Sequence, residues 1–187
     1  MNVRFLCIAL LSLVLGGCLV TFDETLPPVT AAPAALLGDW TLVDDWGDTR
    51  LLRIERIGDN RYRAHFTRQG PAASKAPATD NGRFDFTVAR HGERWYFSAR
   101  LPQGDAGRYL LGGFELSAAG ELLIYSLDVA RLRQALSEGR LGAVPGADAP
   151  GEGLWFRGPL QPLFAYLDDP ANSDAFTLAA HYWRATP

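Results

Sequence analysis

Apolar residues along most of this chain recur at every second position and are broken by short polar turns, a pattern that predicts antiparallel strands. Strands are expected at 38–43, 49–57, 61–68, 83–91, 94–101, 108–116, 121–127, 154–157 and 176–185. Hairpin turns fall at Gly58-Asp59-Asn60, His91-Gly92-Glu93 and Ala118-Ala119-Gly120. In the second hairpin Phe84, Phe86 and Val88 share one face with Trp95, Phe97, Ala99 and Leu101, so one side of the sheet is apolar throughout. The third hairpin is apolar on both faces, which calls for a cover on its outer side.

Helical spacing occurs late in the chain. Asp128 is a suitable N-cap, Val129, Leu132, Ala135 and Leu136 recur at three and four residues, and Gly139 ends the run. That segment is the expected cover. A second short helix is expected over 159–167, with Pro159 in its first turn. The fold class is therefore mainly β, an antiparallel sheet or barrel of 7–9 strands with two short late helices, in a single domain spanning 36–187.

The first residues have a different pattern. Arg4 is followed by an apolar run from Phe5 to Leu15 and then by Gly16-Gly17-Cys18, the order of a secretory signal. The run is too short to span a bilayer, which takes roughly 20 apolar residues as a helix. Leu15-Gly16-Gly17-Cys18 resembles the bacterial lipobox, in which the cysteine thiol receives a diacylglyceryl group before cleavage. The resemblance implies a signal peptide over 1–17, acylation of Cys18 with palmitate-like chains, and a lipoprotein held stably on a membrane by more than one chain. Leu19, in a position where aspartate retains such proteins at the inner membrane, implies the outer membrane; the body is expected to face the periplasm, with exposure at the cell surface the alternative. Residues 18–35 then form a lipidated, Pro- and Ala-rich tether. The stretch 21–35, with Pro27, Pro28 and Pro33, would reach about 45 Å in the polyproline form.

Composition narrows the picture further. Cys7 leaves with the signal and Cys18 carries lipid, so neither of the 2 cysteines remains for a disulfide and the domain must stand on its apolar core. Net charge is −3, against a nucleic-acid partner. It is unevenly spread: −5 over 1–48 (one Arg, six acids), +6 over 49–108 (twelve Lys and Arg, six acids) and −4 over 109–187 (five Arg, nine acids), which sums to −3. The basic block is either the solvated outer face of strands or a surface for an anionic partner.

Gly38-Asp39-Trp40 opens the first strand of the body. With sequential hairpins after it, the chain resembles the lipocalin and calycin superfamily, whose Gly-x-Trp begins a barrel. That resemblance implies a glycine permitting a sharp entry and a tryptophan closing the floor. The region 127–184 also resembles the C-terminal part of uncharacterised proteobacterial envelope proteins, which implies no activity.

Candidate chemistry is sparse. His65, His91 and His181 have no His or Cys at metal-ligand spacing, and no nucleophile elbow, phosphate loop or HExxH motif occurs. The acidic groups Asp44, Asp45, Asp48 and Asp168, Asp169, Asn172, Asp174 lack the calcium-loop spacing and suit turns and caps. No metal, cofactor or enzymatic activity is expected. The remaining lead is aromatic: Tyr62, Phe66, Phe84, Phe86, Trp95 and Phe97 on the inward face of four strands either line an apolar cup for a hydrophobic ligand or fill a closed core. Two roles follow, a membrane-anchored binder of a hydrophobic molecule or an assembly and scaffold partner for other envelope proteins.

Overall fold

The computed structural model of the chain describes residues 20–45, 47–70, 82–101, 107–142, 144–145 and 153–185. Its elements run β1 (Val20–Phe22), β2 (Gly38–Val43), β3 (Thr49–Gly58), β4 (Arg61–Gln69), β5 (Arg83–His91) and β6 (Arg94–Arg100). They continue through β7 (Tyr109–Leu116), β8 (Glu121–Leu127), α1 (Val129–Ser137), β9 (Val144–Pro145), β10 (Leu154–Arg157), α2 (Gln161–Leu167) and β11 (Phe176–Arg184). Single 3-10 turns occupy Ala34–Leu36 and Pro170–Ala175. The signal region, Cys18 and the loop 71–81 lie outside the described residues.

Strands β2 to β8 pair antiparallel in sequence order, β11 pairs with β8, and β11 meets β2 through Trp183↔Thr41 and Arg184↔Trp40. The sheet therefore closes into an eight-stranded barrel, which leaves no free edge along its main circuit. Alternation dictates the interior. Trp40, Leu52, Ile54, Tyr62, Ala64, Phe86, Val88, Ala99, Phe114, Leu122 and Tyr182 form one buried cluster inside it.

A second core lies outside the barrel wall. Tyr96 and Leu111, on the reverse face of β6 and β7, pack with Leu127 against Val129, Leu132 and Ala135 of α1 and Leu163, Phe164, Tyr166 and Leu167 of α2. This is the cover that the two-sided hydrophobicity of β7 and β8 demands. Asp128 caps α1 by accepting the N–H of Arg131 at 3.0 Å, and Gly139 leaves the helix at φ 68°. Helix α2 starts at Gln161 rather than at Pro159, so Pro162 falls in the first turn, where its missing N–H costs nothing.

The stretch expected to be a free tether is laid against the body instead. β1 lies antiparallel to the start of β7 and parallel to β10, with Val20 and Phe22 buried in the outer core. Thr25 then bonds Ser98 at 3.0 Å, Thr87 donates to the carbonyl of Leu26 at 2.6 Å, and the N–H of Ala32 donates to the Tyr62 hydroxyl at 2.7 Å. The prolines suppress helix over this stretch, as composition suggests, but Val20, Phe22 and Leu26 supply apolar anchors that outweigh the freedom of an extended chain.

Candidate functional site: the barrel interior and its ends

One end of the barrel is sealed by the segment before β2. Leu36 enters the interior cluster and Trp40, 1% exposed, donates its indole N–H to the carbonyl of Leu36 at 3.0 Å. Arg184, from the last strand, lies with its guanidinium carbon 3.8 Å from the Trp40 ring centroid. It donates to the carbonyls of Leu37 (2.7 Å) and Ala35. These bonds satisfy carbonyls at the 3-10 turn that no strand could reach. Gly38 is required twice over: its φ is 114°, and a Cβ there would sit 2.8 Å from Arg184 Nη1. Gly38 thus enters β2 at positive φ, and Trp40 lies buried in the barrel's interior cluster.

β4 carries Tyr62 toward the Ala32 segment and, three inward positions later, Arg68 toward the loop between β2 and β3. That second end is charged. Arg68 Nε donates to Asp48 at 2.8 Å and its Nη2 to Asp44 at 3.4 Å, while Arg50 Nε donates to Asp44 at 3.2 Å. Asp44 also accepts the N–H of Asp48 at 3.0 Å, which closes the loop. Asp48 is fully buried. The first acidic group thus has the expected turn role and, beyond it, neutralises two arginines of the same inward parity as Leu52 and Phe66. Period-two counting from Leu52 and Phe66 already gives that parity.

Between the ends the six aromatic residues singled out by alternation all belong to the interior. Phe66, Phe84, Phe86 and Phe97 line a cavity of about 40 Å³, together with Leu36, Leu52, Ile54, Ala64, Phe114, Leu122 and Ile124. Tyr62 and Trp95 do not line it. The Tyr62 hydroxyl accepts from Ala32 and its ring lies tilted against Phe86 at 5.6 Å; Trp95 packs on Phe114 at 5.9 Å. The lining is wholly apolar, and Phe66, Phe84 and Phe97 are only half-buried. Side chains fill most of the barrel, and the remaining space takes a few heavy atoms, at roughly 10–15 Å³ per water-sized sphere.

The outward face is a lattice of exposed pairs. Arg53 engages Asp39 and Arg63 engages Asp85, each in a two-bond fork of 2.6–2.9 Å. These forks hold the Asp39 and Asp85 carboxyls below the ordinary carboxylate range, hydrogen bonding to the arginine being the largest cause. The basic block of the sequence is in large part this solvated face, where such pairs contribute little to stability. The histidines are also outward: His65 meets Glu55 at 3.2 Å, His91 meets Asp168 at 2.9 Å and stacks on Phe164, and His181 meets Glu121 at 3.1 Å. In the second acidic group Asp169 caps the 3-10 turn, Asn172 donates to the carbonyl of Tyr166, and Asp174 pairs with Arg131. Among the described residues no three His, Cys, Asp or Glu side chains gather around a point where a metal ion could sit, and no helix is long and apolar enough to cross a membrane.

Burial raises the phenols of Tyr182, inside the barrel, and Tyr96, in the outer core, above their ordinary value of 10.0. Their neutral forms are thereby favoured in the folded state. Stability is then fully present below the unfolded phenol value and is lost as pH rises above about 10. Denaturant unfolding followed at pH 8 and pH 11 should show this loss, and replacing both residues by phenylalanine should flatten it.

Comparison of the chain with protein-family models, with curated proteins and with solved structures finds no match to any of them.

Proposed function

We propose that this protein is a lipoprotein of the bacterial envelope, anchored through Cys18 at the outer membrane on the periplasmic side, whose lipocalin-like barrel holds a small or slender hydrophobic molecule without enzymatic chemistry. The supporting observation is the apolar cavity walled by five phenylalanines, three of them only half-buried. A ligand that covers the exposed part of these rings gains from its burial, at about 25 cal/mol per Å² removed from water. The lining has no polar atom to orient a ligand, so the ligand is recognised by shape and hydrophobicity alone. The closed eight-stranded antiparallel barrel, with Gly38 and the buried Trp40 opening its first strand, supports the lipocalin-like reading. For the anchor, the support is Gly16-Gly17-Cys18 after an apolar run.

Native mass spectrometry of the full-length protein, purified from its membrane, tests this reading. The covalent mass should include the acyl chains on Cys18, and a Cys18→Ser variant should lack them. A non-covalent apolar adduct should accompany the wild-type protein, increase with Phe97→Ala, which enlarges the cavity, and disappear with Ala64→Leu, which fills it. Spectra without adduct in all three proteins would refute the binding role.

A further inference from the structure

The barrel wall is not closed evenly. Resting on the proposed binding role, we infer that the seam between β2 and β11 is a slot for one unbranched alkyl chain, whose tip lies in the apolar cavity. Every other seam of the barrel keeps its register along more than half of the shorter strand. This one stops at Trp183↔Thr41, although β2 runs on to Val43 and β11 starts back at Phe176. β11 is also irregular there. Its register against β8 shifts between Leu178 and Ala180, a bulge of the kind that bends a strand and ends its pairing.

The residues along this interruption are those a hydrocarbon chain would meet. On the outside Val43 is 64% and Leu178 51% exposed, and Trp183, at the last pair, is 50% exposed. Scattered apolar residues on a surface are ordinary, but most of the large ones exposed among the described residues gather along this one seam. On the inside Leu42 and Ala180 pack against the interior cluster and yet stay partly exposed. Ala180 sits opposite Ile124, and Ile124 lines the cavity. Outer lips, inner wall and cavity therefore follow one another, and all are apolar. Next to the clasp the buried Trp40 and Tyr182 fill the interior, so the passage lies at Leu42 and Ala180, farther along β11 toward its start. A cavity of about 40 Å³ takes only the end of a chain, and the rest of its length then lies in the seam. The paired residues hold the two strands about 4.7–4.9 Å apart beside the slot. That spacing suits a single thin chain and not a ring system.

Photolabelling of the full-length protein in phosphatidylcholine nanodiscs tests the slot. The probes are saturated fatty chains with a diazirine either at the terminal carbon or near the carboxyl group, each supplied as the free acid or esterified in the disc phospholipid. Labelled residues are located by mass spectrometry of peptides. The terminal diazirine should label Phe97, Phe114 or Ile124, and the diazirine near the carboxyl group should label Leu42, Val43, Leu178 or Ala179. Labelling by the free acid, by the phospholipid or by both supports the slot and identifies the source of the chain. Val43→Thr combined with Leu178→Thr changes two exposed positions, so denaturant unfolding should be unaltered while labelling falls about fivefold or more for loss of apolar contact at the lips. Label in the cavity with none at the seam, or an unchanged yield in the double variant, would overturn the slot and leave the binding role standing. No label in the cavity from any probe would overturn both.

Discussion

Replacing Trp40 by alanine is expected to destabilise the protein by about 3–5 kcal/mol, the range for deleting a buried aromatic side chain. The reasons lie on both of its faces. Inside, the indole fills the end of the barrel beside Leu36 and Leu52. On its other face the Arg184 guanidinium rests 3.8 Å from the ring centroid while its nitrogens hold the carbonyls of Leu37 and Ala35. Removing the ring takes away the platform that aims those bonds, so one change loosens the last strand and the segment before β2 together. β2 and β11 meet through the short run Trp183↔Thr41 and Arg184↔Trp40, extended by the Ala185 N–H donating to the Asp39 carbonyl at 3.0 Å, which makes this contact the clasp of the barrel. Denaturant unfolding of Trp40→Ala, Arg184→Met and the double variant checks the argument. The two single losses should overlap strongly, because each removes the same contact, whereas simple addition would show that Arg184 does not depend on the ring. Trp40→Phe, which keeps an aromatic face, should retain most of the stability.

The second large effect is at the opposite end. Arg68→Ala removes a guanidinium that pairs with a fully buried carboxylate, and breaking a buried ion pair from one side costs about 3–5 kcal/mol. Asp48→Ala leaves Arg68 short of one acceptor and should fall in the same range. Replacing both by apolar residues, Arg68→Met with Asp48→Ala, should cost less than either single change, since no uncompensated charge remains inside. Equilibrium unfolding of the three variants at pH 7 decides the point. If the double variant is as unstable as the sum of the singles, the pair does not act as a unit.

These two ends bear directly on the proposed ligand site. A barrel sealed by Trp40 and Leu36 at one end and stiffened by Arg50, Arg68, Asp44 and Asp48 at the other leaves its phenylalanines as the part of the interior that is free to repack. Phe66 and Phe84 stack at 5.3 Å, and Phe97 stands edge-on to Phe86 at 6.2 Å. Gly112, opposite Phe97, could not carry a Cβ without meeting that ring at 2.5 Å, so the glycine is what allows Phe97 its place. Under the proposed binding role, ligand entry would depend on rotation of these aromatic rings.

Much of this was legible in the residues. Period-two alternation located the eight barrel strands and β10 to within a residue or two but missed β1 and β9, the spacing after Asp128 located α1, and the apolar outer face of β7 and β8 implied a cover. All of these are local patterns, and each strand or helix carries its own record of which face meets a core. The inward aromatics were legible for the same reason. The placement of 20–36 was not: its prolines describe what the backbone avoids, whereas its position depends on partners as distant as Tyr62, Ser98 and Leu154.

The sequence by itself determined the eight barrel strands and β10, their two faces, the late helices and, through Gly16-Gly17-Cys18, the expectation of an anchor. Only the tertiary structure decided that the sheet closes, that Arg184 lies on Trp40, that Arg68 and Asp48 meet inside, and that β1 brings the chain to the barrel wall two residues after Cys18. Periodicity is a property of neighbours along the chain, but closure and ion pairing join residues far apart in sequence. The chain's order names the groups that could meet, and the balance of burial against entropy over the whole fold selects those that do.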